Sequence, residues 1–265
     1  MPEIAEIETL VRQLRSTIVG KEIVDAYCRQ PRMLNLPLDE FRQRVRGRVQ
    51  AVERRAKHAI LAIDGRALWL HLGLNGVVRY LPRPAGDAPP GTCGLLFADG
   101  SLLYLDKMFM GQAHLLTEHE SQARSQEFGP DPLSPAFTLD RLRAILRAHP
   151  TLTLKALLMD QRLIAGIGNT YSDEILLVAR LHPARRAGTL TPAEQERLYQ
   201  AIQTVLREAV EAGGTPDYED LAGQPGRYRL KVHGQERCGL CGGPVERLKF
   251  GGRTAYYCPA CQGQA

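Results

Sequence analysis

The 265-residue sequence contains no apolar run of about 18 residues, so it predicts no helix that spans a membrane. No secretory leader is expected, because the first ten residues, MPEIAEIETL, are acidic where a leader would be basic and then apolar. No internal repeat is visible in the sequence. We therefore expect a cytoplasmic protein that works in a reducing setting.

The chain has no strong excess of charge of either sign. Its formal net charge is +5, a mild basic bias that suits a polyanionic partner without requiring one. Hydrophobic residues make up 44%, which is ordinary for a soluble globular protein. The length allows two domains.

Cysteine is scarce until the carboxyl terminus, where four of the six cysteines fall in the last 28 residues. Cys28 and Cys93 are isolated and are expected to be small buried side chains. The remaining four form two CxxC pairs, whose spacing predicts a closed tetrahedral shell for one structural Zn²⁺, with disulfides or unliganded thiols as the alternative. The predicted ligands are Cys238, Cys241, Cys258 and Cys261.

Between the two cysteine pairs, the segment 247–257 (RLKFGGRTAYY) predicts a β-hairpin that turns at Gly251–Gly252. Arg253 follows this turn and could present a cation to a phosphate, or could simply be solvated.

The rest of the chain divides by its hydrophobic periodicity. Spacings of three and four predict an amphipathic helix over 3–18. Short apolar runs from about 22 to 117 predict an antiparallel sheet layer, with a surface loop at 83–92. A polar segment at 119–135 predicts a linker. Further amphipathic helices are predicted at 139–148, 152–160, 172–181 and 192–212, the last capped by Thr191.

Four separated segments together resemble the formamidopyrimidine-DNA glycosylase family, also called the Fpg/Nei superfamily. They are MPEIAEIET at 1–9, RRAKHAIL at 54–61, GIGNTYSDEIL at 166–176 and the carboxyl-terminal cysteine module. The resemblance implies an α+β multidomain fold: a catalytic β-sandwich domain with an amino-terminal helix at 1–118, a helical helix–two-turn–helix domain at 136–222, and a lesion loop with a β-hairpin zinc finger at 223–265. It implies a monomer that acts on damaged double-stranded DNA, nucleoid-associated if bacterial.

The resemblance also implies the chemistry. Removal of Met1 would free the secondary amine of Pro2, which would attack the anomeric carbon of a damaged nucleoside and form a Schiff base. Elimination of both flanking phosphates would nick the strand. Glu3 would act as the general acid, Glu6 would support the site, and Glu174 would approach the amine. Without the resemblance, the local sequence favours an ordinary helix-start proline at Pro2, and Glu3 could simply compensate the helix dipole.

DNA contacts follow from the same resemblance. Lys57 and His71 would bind the phosphates beside the lesion, although Lys57 could also be a surface residue of its strand. Asn169 and Arg253 would grip the backbone on either side of a nucleotide that is flipped out of the stack.

The sequence departs from the family in the residues that fill the hole left by the flipped base. Leu74 replaces the usual methionine, Met108 takes the arginine position and Met110 the phenylalanine position, with Phe109 between them. This apolar wedge predicts weak discrimination of the opposite base, since the lost arginine would bond the orphaned cytosine. The loop 223–238 is also shorter than the family segment that covers 8-oxoguanine.

Four functions therefore stay open at this stage. The first is a bifunctional glycosylase and abasic-site lyase for oxidised or ring-opened bases. The second is a related enzyme that prefers oxidised pyrimidines or bulky alkylated bases. The third is a non-catalytic paralogue that binds lesions, and the fourth is a zinc-stabilised protein that is unrelated to DNA.

Overall fold

The computed structural model describes residues 1–84, 89–250 and 252–263. These residues form two compact units, one of residues 1–127 with 213–227, and the other of residues 128–212 with 228–265. Part of the predicted loop at 83–92, and Gly251 of the predicted hairpin turn, lie outside the described residues. None of the described helices combines the length and the apolar character that crossing a bilayer requires.

The amino-terminal unit begins with a helix that buries one face. Leu10, Leu14 and Ile18 are fully buried in the same core cluster as Leu61 and Leu103 of the sheet. Burial of each such side chain stabilises the fold by about 1.5–3 kcal/mol. The helices are α1 (Ile4–Ile18), α2 (Leu38–Arg44) and α3 (Glu118–Gln126), with a short 3-10 helix at Pro31–Met33.

The strands of this unit form an antiparallel sheet in the order β5-β7-β6-β1-β2-β3-β4-β8. β1 and β2 pair at Glu22–Arg48 and Ile23–Gly47. Side chains from both halves of the sheet enter one core, as in a β-sandwich. The strands are β1 (Glu22–Cys28), β2 (Gly47–Arg55), β3 (His58–Ile63), β4 (Arg66–His71), β5 (Val77–Leu81), β6 (Cys93–Phe97), β7 (Leu102–Asp106) and β8 (Gln112–Thr117).

The second unit contains the predicted helices and the cysteine module. Thr191 caps the longest helix, because its side chain accepts from the Glu194 N–H, as the sequence predicts. The elements are α4 (Leu139–Ala148), α5 (Leu154–Met159), α6 (Asn169–Ala179), a 3-10 helix (Ala187–Thr189), α7 (Pro192–Glu211), β9 (Glu246–Phe250), β10 (Arg253–Tyr257) and α8 (Pro259–Gln262).

Three features differ from the sequence predictions. The polar segment predicted as a linker contains α3, which Thr117 and Glu120 cap reciprocally. Residues 213–227 group with the amino-terminal unit, and not with the helical domain, because side chains of α1 hydrogen-bond to this segment. Cys28 and Cys93 are not isolated: they lie opposite each other on β1 and β6 and form a disulfide.

Candidate active site and nucleic-acid interface

The amino terminus is held by two acids of the first helical turn. Pro2 is buried and precedes the helix, with Glu3 at the N-cap position. Glu3 and Glu6 form a reciprocal capping box, in which the Glu3 N–H donates to Glu6 Oε2 at 2.9 Å. Glu6 Oε1 also accepts from the Thr215 N–H at 3.0 Å. The carboxylate of Glu6 therefore fixes both the chain end and the segment that begins near residue 213.

A cleft of about 310 Å³ adjoins the chain end within the amino-terminal unit. Met1, Pro2 and Leu74 line it, together with Asp217 and Tyr218. This volume lies in the range of sites that hold small ligands. Asp217 and Tyr218 have no recognisable motif in the sequence, and the fold alone brings them beside Pro2.

An exposed apolar group adjoins this cleft. Leu74, Phe109 and Met110 are 39%, 62% and 71% exposed, which is unusual for large apolar side chains. The Leu74 N–H donates to the Phe109 carbonyl oxygen at 3.0 Å. We call these three residues the apolar wedge.

Met108 does not belong to the apolar wedge, contrary to the sequence prediction. It is 4% exposed and fills the space left by two glycines, since a Cβ on Gly76 or Gly111 would come within 2.6 Å of its side chain. Met108, which the resemblance assigns to the arginine position, is therefore a core residue beneath the loop.

Lys57 and His71 lie on neighbouring parts of the same β meander. Lys57 occupies the two-residue turn between β2 and β3 and is buried, and not a solvated strand residue. Burial, and then the charges of Lys57 and Arg124, lower the pKa of His71. Its Nδ1 accepts from the Gly73 N–H at 3.2 Å. The neutral ring therefore carries its proton on Nε2, where it can donate to an anion.

In the second unit, the turn before α6 is braced on both sides. Gln161 accepts from the Gly166 N–H and donates to the Ile167 carbonyl oxygen, at 2.8 and 2.7 Å. Asn169 Nδ2 donates to the carbonyl oxygen of Thr254 at 3.1 Å. Since Arg253 immediately precedes Thr254 and is exposed, the structure brings the predicted Asn169 and Arg253 together, beside the positive end of a helix.

Glu174 is engaged by backbone donors. It is fully buried, and its two oxygens accept the N–H groups of Lys231, Val232 and His233 at 2.8–2.9 Å. Burial raises the pKa of this carboxyl, and the three N–H donors oppose that shift. These contacts indicate that Glu174 anchors the 228–234 segment, and they do not support the predicted role as an acid at the amine.

A second buried acid lies one residue earlier on α6. Asp173 Oδ1 is 2.6 Å from Lys155 Nζ, and its Oδ2 is 2.7 Å from His233 Nδ1. Lys155 Nζ also donates to the Asn169 carbonyl oxygen at 2.8 Å. The sequence gives no signal for this hydrogen-bonded group, because Asp173 and Lys155 have the residue types of an ordinary helix surface.

The four predicted cysteines converge at one place. Their sulfurs lie within 4.8 Å of one another, with 3.9 Å between Cys238 and Cys261 and 3.5 Å between Cys241 and Cys258. A tetrahedral ion with Zn–S bonds of about 2.3 Å needs sulfurs about 3.8 Å apart. The Gly243 N–H is the main cause that lowers the pKa of Cys241 to about 7, whereas burial raises the pKa of Cys261 to about 12. Four sulfurs at these distances fit one tetrahedral cation, and the site holds one structural zinc ion.

Three parts of the chain match known protein families. Residues 1–112 match the formamidopyrimidine-DNA glycosylase N-terminal domain, and residues 128–218 match the formamidopyrimidine-DNA glycosylase H2TH domain. Residues 235–263 match a zinc finger found in FPG and IleRS.

Curated relatives and solved structures indicate the same family as these three matches. The formamidopyrimidine-DNA glycosylase of Thermus thermophilus is 39% identical over 279 residues, which cover 100% of this chain and 99% of that protein. The formamidopyrimidine-DNA glycosylase of Edwardsiella ictaluri is 36% identical over 270 residues, which cover 99% of this chain and 100% of that protein. The Lactococcus lactis Fpg in complex with abasic-site DNA superimposes with a TM-score of 0.89 at 30% identity, covering 99% of this chain and 100% of that one. The chain belongs to the formamidopyrimidine-DNA glycosylase family, whose members act on damaged DNA.

Proposed function

We propose that this chain is a bifunctional DNA glycosylase and abasic-site lyase that uses the amine of Pro2 as its nucleophile. The observation that carries the proposal is that Pro2 shares one cleft with Leu74 of the apolar wedge. Met1 lines the same cleft, so its removal both frees the amine and enlarges the space beside it. A freed α-amino group titrates near 7.7–8.0, which leaves a useful neutral fraction at pH 7.5.

The reaction begins when the nitrogen of Pro2 attacks C1′ of the extruded nucleotide. The N-glycosidic bond breaks, and the base leaves with the bonding electrons and takes up a proton. The Glu3 carboxyl donates a proton to the ring oxygen as its bond to C1′ breaks, which leaves a Schiff base. Loss of a proton from C2′ then expels the 3′ phosphate, and a second elimination expels the 5′ phosphate.

The DNA backbone needs cationic and hydrogen-bonding partners during these steps. In the amino-terminal unit, Lys57 and the Nε2–H of neutral His71 serve the phosphates beside the lesion. In the second unit, Asn169 and Arg253 contact the backbone, with the zinc site keeping the hairpin that carries Arg253 in shape. Since phosphate contacts release counterions, we expect duplex affinity to fall steeply as salt rises.

Borohydride trapping on an abasic-site duplex tests the nucleophile. The processed protein should form a covalent adduct, and peptide mass spectrometry should place that adduct on Pro2. A chain that retains Met1 should not trap and is the matched control. An adduct on Lys57 or another lysine would refute the assignment of Pro2. No adduct from the processed chain would favour a non-catalytic lesion-binding protein.

The apolar wedge bears on the choice of substrate. The resemblance assigns Met108 to the position of the arginine that hydrogen-bonds the opposite cytosine, and Met108 is buried beneath the loop. The apolar wedge therefore offers only apolar contacts to the orphaned base. We expect excision rates opposite the four bases to agree within about fivefold. A preference for oxidised pyrimidines or bulky lesions is the second candidate, because the loop 223–238 is short. Turnover of matched duplexes that carry formamidopyrimidine, 8-oxoguanine or thymine glycol separates the two.

A further inference from the structure

The segment 213–218 is built against the first helix at close range. Gly214 has a φ of +90°, and a Cβ there would lie 2.7 Å from Glu6 Cγ. The Thr215 N–H donates to Glu6, and the Tyr218 N–H donates to the Thr215 carbonyl oxygen at 3.0 Å. The Gly226 N–H in turn donates to the Tyr218 carbonyl oxygen at 2.9 Å. The backbone of Tyr218 is therefore fixed on both sides.

The side chain of Tyr218 has an unusual polar end. The residue is 4% exposed, and its ring belongs to the hydrophobic core of the amino-terminal unit. Among the described residues, none provides a hydrogen-bond partner for the buried Tyr218 hydroxyl. Tyr218 nevertheless lines the cleft that contains Pro2.

Burial, and then the nearby charge of Glu6, raise the pKa of Tyr218. The hydroxyl therefore stays protonated throughout the range in which the Pro2 amine is active, and it is available as a donor. A buried hydroxyl without a partner destabilises a fold, so phenylalanine would serve the core better at this position. This observation points to a partner that arrives with the substrate.

We propose that the Tyr218 hydroxyl donates a hydrogen bond to an acceptor oxygen of the nucleoside that occupies the Pro2 cleft. The acceptor belongs either to the deoxyribose or to the oxidised base. This inference rests on the proposed function. It assigns a direct substrate contact to a residue for which the sequence shows no motif.

The test compares wild type with Tyr218→Phe in single-turnover reactions on two duplexes, one with a formamidopyrimidine lesion and one with an abasic site. Loss of the donor leaves a buried acceptor without a partner, so the rate should fall by about 5- to 100-fold on at least one duplex. The melting temperature of the free protein should rise by about 1–3 °C, because the unsatisfied hydroxyl is gone.

Tyr199→Phe is the matched control. The Tyr199 hydroxyl donates to the Phe137 carbonyl oxygen at 3.2 Å, so its loss should lower the melting temperature slightly and leave both rates within twofold of wild type. The opposite signs of the two temperature shifts separate an unsatisfied hydroxyl from a structural one.

Each outcome of this test either supports or overturns the proposed contact. Slowing on both duplexes supports a contact with the sugar, and slowing on the base-bearing duplex alone supports a contact with the base. Rates within twofold on both duplexes overturn the proposal, as does a clear fall in the melting temperature of Tyr218→Phe. If wild type neither releases a base nor forms a borohydride adduct, the proposed function itself fails, and that result is visible before any variant is compared.

Discussion

Substitution of Glu174 by glutamine tests whether this residue anchors the 228–234 segment. The carboxylate accepts three backbone N–H groups, whereas an amide offers only one oxygen. If that oxygen keeps Val232 and His233, the amide NH₂ faces the N–H of Lys231. One buried donor is then unsatisfied, which costs about 1–3 kcal/mol. We expect the melting temperature to fall by roughly 3–10 °C.

The chain offers a close control on the same segment. Glu208 contacts the Lys231 side chain at 3.3 Å, and both side chains are partly exposed, at 48% and 30%. Glu208→Gln removes a surface ion pair and should change the free energy of unfolding by less than about 1 kcal/mol. Hydrogen exchange at the amides of residues 231–233 should accelerate about 5- to 100-fold in Glu174→Gln and stay unchanged in the control.

Two results would refute this reasoning. Equal stabilities of the two variants would show that the three N–H bonds do not hold the segment. A Glu174→Gln protein with wild-type stability and exchange, but with a much slower single-turnover rate, would restore the catalytic role that the sequence suggests.

Three further predictions concern the zinc site, a buried ion pair and a buried histidine. Removal of zinc by a chelator should lower the melting temperature and abolish duplex binding, and both should return on addition of Zn²⁺; binding that survives verified zinc loss would contradict this. Asp173→Asn removes the buried carboxylate that pairs with Lys155 and should destabilise the protein by about 3–5 kcal/mol in urea unfolding, whereas Asp160→Asn, at a pair whose Arg162 side chain is 80% exposed, should cost less than about 1 kcal/mol. Burial lowers the pKa of His58 to about 3, so protonation favours the unfolded chain, and up to about 5 kcal/mol of stability should be lost as the pH falls from 6.5 towards 3. A His58→Phe variant should show a flatter pH profile, and an unchanged slope would contradict the assignment.

The sequence predicted the long amphipathic helices better than the first two strands, and the reason is visible in the sheet. Leu139–Ala148 was predicted to the residue, because its apolar side chains recur at helical spacing. β1 and β2 were not predicted individually. Each contains a register shift, between Ile23 and Asp25 and between Val49 and Ala51, which interrupts the alternation that marks a strand.

In the candidate site, too, the sequence revealed residues in local motifs but not residues that contacts between distant parts of the chain bring into place. The CxxC spacing supplied the zinc ligands and the resemblance supplied Pro2, since each lies in a short local motif. Tyr218 was not predicted as a site residue, because its position depends on a hydrogen bond from the Thr215 N–H to Glu6, which lies 209 residues earlier in the chain. Met108 was misplaced because the loop conformation depends on close approaches at Gly76 and Gly111, which residue type alone does not reveal.

The division of the chain has a consequence for its synthesis. The amino-terminal unit includes residues 213–227, and Gln13 on α1 bonds Asp220 and the Leu221 N–H of that segment. A nascent chain that has emerged only as far as Glu127 lacks two residues that line the cleft beside Pro2, namely Asp217 and Tyr218. The ribosome must therefore release most of the second unit before the first can be completed, and a fragment cut at the apparent boundary would remove the Thr215 partner of Glu6 and both of these partners of Gln13.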